Sequence, residues 1–329
     1  MASPLLIGLG AGLVAAVLFA SAATGSVLAL ALFYLAPLPG FLAGLGWGTV
    51  SALTAGLSGA AVATAALGLK AGLAFLLTLG VPATVLCHLA LLSRSSGPTA
   101  VQGAGSGQAP VEWYPPGRIV AAATLIAGAL SALSVPMLGL DSESYRATIQ
   151  DILNKTILNQ LGANAPEGLD KESLAPLINL MVRALPAATA IVGLGVMLFN
   201  LWAAGRIVDI SGRALRPWPD LSTMTYPNTF ALGFVASLLL TFAPGLMGII
   251  ATGFAGAFLL AYVLLGLVVL HAITRASTLR PFILFVLYCG IVFFGWIALA
   301  VAIVGIGEPV FKLRERMTNK PQPPAGKGG

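Results

Sequence analysis

The sequence predicts an all-α fold: a polytopic transmembrane helical bundle of about eight to nine spans, with a short extracytoplasmic amphipathic helix. Composition is the first observation behind it. Of the 329 residues, 58% are hydrophobic and only 9% are charged, whereas about a quarter of a globular protein is charged. Second, the apolar runs are continuous and rich in Ala, Leu and Gly, without the alternation of a transmembrane β-barrel. Third, one long polar segment, residues 140–175, separates two membrane halves.

The N-terminal membrane half, residues 1–138, holds about five predicted spans, each measured against the ~20 residues that cross a bilayer. Between Pro4 and Leu92 only Lys70 carries a formal charge, so prolines, glycines and length must define the segments. We predict spans at 4–22, 24–39, 41–67, 71–92 and 118–138.

Three local patterns add detail to the N-terminal membrane half. The second span is short and ends in residues 37–40 (Pro-Leu-Pro-Gly), which predicts a half-span or a helix broken inside the bilayer. Gly8 and Gly12 lie one helical turn apart, as do several later glycines, and this spacing predicts close helix packing, either within the chain, which we favour, or against a second copy of it. Residues 93–117, rich in Gly, Pro and Ser, predict a flexible cytoplasmic linker.

The polar excursion, residues 139–175, contains six acidic and three basic residues, although the whole chain has a net charge of +6. Because cytoplasmic loops are enriched in Lys and Arg, we place this acidic segment outside the cytoplasm. Apolar residues at helical spacing, including Tyr145, Ile149 and Leu153, predict a short amphipathic helix over 142–161. That helix is either a lid over a cavity or a connector lying on the membrane interface.

The C-terminal membrane half, residues 176–306, begins with a sixth span at about 174–203 and a basic cytoplasmic loop at 204–226. Residues 227–274 are long enough for two spans, and 281–306 form a further apolar run. With that count, the basic and partly disordered tail, 307–329, falls outside, against the positive-inside tendency. Three solutions stay open: 227–274 crosses once, 281–306 is re-entrant, or the tail is an exception.

Polar side chains within spans are the candidates for a site, because burying a charge in the bilayer is costly. Arg183, with Asn179 one turn before it, is suited to bind an anionic group beneath the polar excursion. The alternative is that Arg183 extends to the interface. Asn200 and Tyr262 are weaker ligand-binding candidates. His271, in the last turn of its span, is interpreted as a hydrogen-bonded interfacial histidine.

Patterns for other functions are absent from the sequence. It contains no GxxxxGK[ST], HExxH or GxSxG motif, and no predicted transmembrane segment carries a carboxylate. Cys87 and Cys289 lack the spacing of a zinc site or a disulfide framework. The basic residues are spread over loop edges, which argues against nucleic-acid binding. We therefore predict no enzyme activity, no cofactor, no catalytic residue and no metal.

Several motifs resemble the YybS-like family of bacterial integral membrane proteins, which contain a domain of unknown function. They are the proline-terminated segment 36–39 before glycine-rich spans, the central polar excursion, the loop 206–227 that ends in Tyr-Pro, and the close at 305–314. That family is distantly similar to the S components of energy-coupling-factor transporters. The resemblance implies a helical bundle that binds a small molecule and is driven by a separate ATPase module. This chain has more predicted spans than S components, and no ligand-binding residue carries over.

Two functions remain in competition. The leading hypothesis is a small-molecule binding or transport component of the bacterial inner membrane, with its pocket beneath the 142–161 helix and lined by the sixth span. Its partners are the lipid bilayer and an energising ATPase module. The alternative is a non-transporting scaffold that assembles other membrane proteins, which the scarcity of polar residues in the spans favours.

Overall fold

The computed structural model describes residues 3–95, 111–161, 171–275 and 277–318. Most of them are helical, and one pair of three-residue strands closes the loop after α6. The helices and strands are α1 Pro4–Ala20, α2 Val27–Tyr34, α3 Leu38–Trp47, α4 Thr49–Leu67, α5 Leu69–Phe75, α6 Val81–Leu91, β1 Ser93–Ser95, β2 Val111–Trp113, α7 Pro116–Leu138, α8 Ser142–Leu161, α9 Lys171–Ile210, α10 Phe230–Leu240, α11 Leu246–Ile273, α12 Arg280–Phe293, α13 Trp296–Phe311 and α14 Leu313–Thr318. A π-helical segment, Leu76–Gly80, joins α5 to α6.

Seven helical segments among the described residues are long and apolar enough to cross a membrane. They are Pro4–Thr24, Val27–Trp47, Thr49–Leu67, Leu69–Leu91, Pro116–Leu138, Ile178–Ile210 and Leu246–Ile273. Three further apolar helices, α10, α12 and α13, are shorter. The predicted all-α polytopic membrane bundle is confirmed, although fewer helices are of full length than the eight to nine spans predicted.

The bundle has two chemically different ends. At the arginine-rich end, the guanidinium of Arg216 lies 5.8 Å from the ring of Trp113, and that of Arg213 lies 5.1 Å from the ring of Trp47. These contacts bring the loops after α3, α6 and α9 together. At the opposite, acidic end, α8 packs on the end of α7 and the start of α9. The predicted amphipathic helix is confirmed, and the Asp141 carboxylate caps its first turn by accepting the Glu143 and Ser144 amides.

The break predicted near residues 37–40 lies in the middle of one crossing and does not end it. Helices α2 and α3 together cover Val27–Trp47, with a turn between them, and α4 begins at Thr49 after Gly48, whose φ of +96° suits glycine. The predicted boundaries at 39 and 41 are therefore wrong. The turn leaves the Tyr34 carbonyl without a helical partner, and the Asn200 side-chain amide donates to it at 2.8 Å. Asn200 thus stabilises the broken helix.

Asn200→Leu is expected to lower the stability of the folded protein by about 1–3 kcal/mol, because the Tyr34 carbonyl, within a candidate membrane span, loses its hydrogen-bond donor. Thermal unfolding in a mild detergent measures the effect. Asn179→Leu is the matched control, since Asn179 is exposed on the same helix and bonds only the half-buried Gln150 in the described structure. Equal shifts in the two variants would contradict the stabilising role of Asn200.

The close packing predicted from the glycine spacing is confirmed between α1 and α4. A Cβ atom at Gly8 would lie 2.7 Å from the Ser51 carbonyl oxygen, and one at Gly12 would lie 2.8 Å from the Gly59 amide nitrogen. Backbone therefore meets backbone along this contact, as small-residue faces allow in membranes. The neighbour is another helix of the same chain.

Residues 227–274 form a hairpin of unequal arms. Helix α10 has 11 residues, fewer than the ~20 needed to cross the hydrocarbon, whereas α11 has 28. Phe230 and Phe234 of α10 pack against Phe258 and Tyr262 of α11. The chain before α10 also lies along α11, because the Tyr226 hydroxyl donates to the Ala261 carbonyl at 2.6 Å.

The segment after α11 is broken between α12 and α13, which have 14 and 16 residues. Both of its ends lie beside the loop between α9 and α10. Arg275, which precedes α12, lines one cavity together with Leu221 and Ser222 of that loop, and Arg314, which follows α13, donates to the carbonyls of Ser222 and Met224 at 2.5 and 3.1 Å. Of the three solutions left open by the sequence, these contacts favour the re-entrant one, with the tail starting at the arginine-rich end.

Some predictions concern residues outside the described part of the chain. These are the flexible character of the loop over 96–110 and the partial disorder of the tail beyond residue 318. At the margins of that loop, β1 and β2 pair antiparallel, and Arg94 forms an exposed ion pair with Glu112 at 2.7 Å.

Candidate functional site at the arginine-rich end

A cavity of about 940 Å³ lies at the arginine-rich end. Its walls are the last turns of α9 and α11, the start of α12, and the loop between α9 and α10, residues 211–229. The lining is predominantly apolar, with leucines from α11 facing aromatic residues of α9. Ligand sites commonly have volumes of about 300–1,000 Å³ and this kind of surface with a few polar groups.

The sequence of loop 211–229 explains the outer wall of the cavity. Helix α9 ends at Ile210, and Gly212, whose φ is +68°, turns the chain away from the helix axis. Two prolines then hold Trp218 in an extended segment against α9. Gly205 permits this approach, because a Cβ atom there would lie 3.1 Å from the Trp218 ring. The Arg206 guanidinium lies 4.8 Å from the centroid of the same ring and holds it in place.

Three arginines contribute to the lining. Arg216 is half-buried and donates to the Ala90 carbonyl at 3.0 Å, and burial lowers the pKa of its guanidinium, which nonetheless stays charged. Arg280 is half-buried, and its Nε atom is buried with no hydrogen-bond partner among the described residues. Arg275 is exposed at the rim. Asp209 is the acidic lining residue, and it is already paired with Arg206 at 3.2 Å.

A histidine and a tyrosine complete the polar part of the wall. His271 Nδ1 lies 2.8 Å from the Leu267 carbonyl oxygen, which places a proton on Nδ1, and Nε2 lies 3.4 Å from the Tyr288 hydroxyl. The hydrogen-bonded histidine predicted from the sequence is confirmed. Its place in a cavity wall was not predicted.

The pocket predicted beneath α8 is filled by side chains. Tyr145 and Ile149 of α8 pack on Ile178 and Val182 of α9, and all four are buried. On the same stretch of α9, Arg183 is exposed, as is Asn179, which bonds Gln150 at 2.9 Å. These two predicted residues lie at the acidic end, the opposite end of the bundle from the cavity.

The remaining predicted site residues lie inside the bundle. Asn200 is fully buried and supports the α2–α3 break, and Tyr262 is buried among aromatic rings, with that of Tyr226 5.8 Å away. The structure therefore does not bring Arg183, Asn179, Asn200 and Tyr262 together. Ligand binding by any of them stays a prediction.

Comparison with known families bears on the whole chain. A family described as "Predicted membrane protein (DUF2232)" matches residues 13–307. The chain belongs to this family. Its description agrees with the YybS-like resemblance and establishes an integral membrane protein with several apolar helices. No curated protein and no solved structure is significantly similar to the chain.

The family match ends at residue 307, next to a buried ion pair that the sequence did not predict. Glu308 lies in the last turns of α13 with its side chain 7% exposed, and its carboxylate accepts from Arg314 Nε at 2.6 Å. Glu308 lies just after the apolar run predicted at 281–306, so the expectation that no predicted transmembrane segment carries a carboxylate did not include it. Because Arg314 also bonds loop 211–229, this pair fastens the end of α13 to the cavity wall.

The chemistry available at the cavity is that of binding. Within the described residues, no three His, Cys, Asp or Glu side chains are grouped so that they could hold a metal ion. The lining offers guanidinium groups, an imidazole and hydroxyls around an apolar interior. Such a surface can hold the polar part of a ligand by charged hydrogen bonds and its apolar part by burial.

Proposed function

We propose that this membrane protein is a small-molecule binding component whose ligand site is the cavity at the arginine-rich end. The observation that carries the proposal is the cavity itself, with its volume of about 940 Å³ and its few polar groups around apolar walls. A scaffold protein, by contrast, needs only a packed helical bundle and no such cavity. The site differs from the pocket first expected beneath α8.

Within this proposal the protein resides in the bacterial inner membrane and serves a transport system energised by a separate partner. Two points support the partnership. The sequence contains no nucleotide-binding motif, and the distant resemblance to S components implies a separate ATPase module. The role of a binding component needs no catalytic step, so the proposal assigns no enzyme activity.

Two glycines of α9 allow a matched test. Gly195 lines the cavity, Gly193 does not, and a Cβ atom at either position would meet nothing within 4 Å. Gly195→Phe is expected to fill part of the cavity and weaken ligand binding by about tenfold or more, equivalent to 1.4 kcal/mol. Gly193→Phe adds the same side chain outside the cavity and should leave binding unchanged.

Binding can be followed by energy transfer from tryptophan to the uncharged apolar probe N-phenyl-1-naphthylamine, with the protein in nanodiscs and empty nanodiscs as the blank. Trp202 and Trp218 line the cavity and act as donors. We expect saturable transfer for the wild type and for Gly193→Phe, and weak transfer for Gly195→Phe. If the wild type shows no saturable transfer, the binding proposal fails and the scaffold hypothesis replaces it.

A further inference from the structure

We infer that the ligand of this cavity is an amphipathic anion: a phosphate or carboxylate headgroup attached to an apolar body. The inference rests on the proposed function and deepens it by naming a ligand class. It depends on where charge, unsatisfied hydrogen-bonding groups and apolar surface lie in the walls.

The charges that line the cavity are predominantly positive. Among the described residues, Arg216, Arg275 and Arg280 line it, against one carboxylate, that of Asp209. Arg206, which is not a lining residue, already neutralises Asp209 through their 3.2 Å ion pair. The carboxylate of Asp220 is not among the lining groups, and it accepts the Ser222 amide at 2.9 Å. A positive excess therefore remains toward the interior.

Arg280 provides the second, independent observation. Its Nε atom is buried and has no acceptor among the described residues. A buried donor without an acceptor is unfavourable, and an anionic oxygen satisfies a guanidinium better than a neutral one. Arg280 begins α12 on one side of the cavity, and Arg216 lies in loop 211–229 on another. An anionic headgroup beside Arg280 would supply the missing acceptor, in a cavity to which Arg216 adds a second positive charge.

The remaining lining is suited to an apolar body. Leu260, Leu264 and Leu267 follow one another along α11 at helical spacing, facing Phe199 and Trp202 of α9. The two aromatic side chains are 54% and 51% exposed, so this part of the cavity is continuous with the outer surface of the bundle. A ligand with an alkyl or isoprenoid chain can therefore enter from the bilayer, with its headgroup near the arginines.

The test compares headgroups on one tail. Dodecyl phosphate, dodecanol and dodecyltrimethylammonium are used to displace N-phenyl-1-naphthylamine from the wild-type protein in phosphatidylcholine nanodiscs, with inorganic phosphate as the tail-free probe. We expect dodecyl phosphate to displace the probe at about tenfold lower concentration than dodecanol. Dodecyltrimethylammonium should be weaker than dodecanol, and inorganic phosphate should not displace the probe.

Arg280→Gln should reduce the preference for dodecyl phosphate over dodecanol by about tenfold, because the guanidinium is lost. Arg183→Gln is the matched control, since Arg183 is an exposed arginine at the acidic end, and it should keep the preference. Thermal unfolding and gel filtration confirm that both variants are folded. If the probe binds but all three headgroups displace it equally, or Arg280→Gln keeps the preference, the ligand class is overturned while the proposed function stands. If the probe does not bind, both fail.

Two sources could supply such an anion, a membrane lipid or a diffusing amphipathic metabolite. Nanodiscs with equal parts of phosphatidylcholine and phosphatidylglycerol distinguish them. A lipid ligand predicts weaker probe binding in the mixed discs for the wild type and little change for Arg280→Gln. A metabolite predicts the same probe binding in both kinds of disc. Either result is compatible with an anionic headgroup.

Discussion

Arg314→Gln is expected to destabilise the folded protein by about 3–5 kcal/mol, because it leaves a buried carboxylate without its partner. Glu308 and Arg314 are 7% and 14% exposed, and their charged groups lie 2.6 Å apart. Arg314 also donates to two carbonyls of loop 211–229, so its loss should loosen the loop as well as α13. Thermal unfolding and limited proteolysis after residue 211 measure the two effects.

Two controls separate the buried pair from a surface charge effect. Lys312→Gln removes an exposed cation two residues before Arg314. The Lys312 side chain is 65% exposed, and its amino group lies 3.5 Å from the Glu315 carboxylate. Such pairs contribute about 0–1 kcal/mol. The double variant Glu308→Gln/Arg314→Gln should recover part of the stability, because no buried charge remains. A loss for Arg314→Gln no larger than that for Lys312→Gln would contradict the buried-pair account.

Gly12→Leu is expected to disrupt the packing of α1 on α4, at a cost of more than about 3 kcal/mol, the upper part of the range for overpacked cores. At Gly12 a side chain would meet the Ala55 carbonyl, the Ser58 hydroxyl and the Gly59 amide. Two of these three atoms belong to the backbone of α4, which cannot rotate aside. Thermal unfolding and the yield of monodisperse protein measure the effect.

Gly10→Leu is the control on the same helix. Gly10 is exposed, and a Cβ atom there would meet nothing within 4 Å. Because leucine has a better helix propensity than glycine, this variant should fold as well as the wild type. An equal loss of folded protein in both variants would contradict this account, because the effect of leucine in α1 would then not depend on the contact with α4.

The fold class could be predicted because composition and apolar run length depend on the bilayer and not on the details of packing. The amphipathic character of α8 and the close approach at Gly12 could also be predicted, since both depend on local spacing. The course of residues 227–311 could not. Whether an apolar run of 26 or more residues crosses, breaks or returns is decided by contacts such as those of Arg314 with loop 211–229.

The candidate site was harder to predict for a related reason. Arg183 was predicted because it is a charge inside a predicted span. The arginines that line the cavity lie in loops and at helix ends, where arginines are also common because cytoplasmic loops are enriched in them. Arg216 and Arg280 lie more than 60 residues apart in the sequence, so only the fold shows that they share a cavity. The usable signal was the Pro-Trp-Pro segment around Trp218, which directly follows Arg216 and is unusual for a simple loop.

The central claim is that the cavity at the arginine-rich end holds a small molecule. The most direct measurement is mass spectrometry of the molecules retained by the protein after purification from native membranes in mild detergent, for the wild type, Gly195→Phe and Gly193→Phe. We predict a molecule that the wild type and Gly193→Phe retain and Gly195→Phe loses. The same set of retained molecules in all three proteins would contradict the claim.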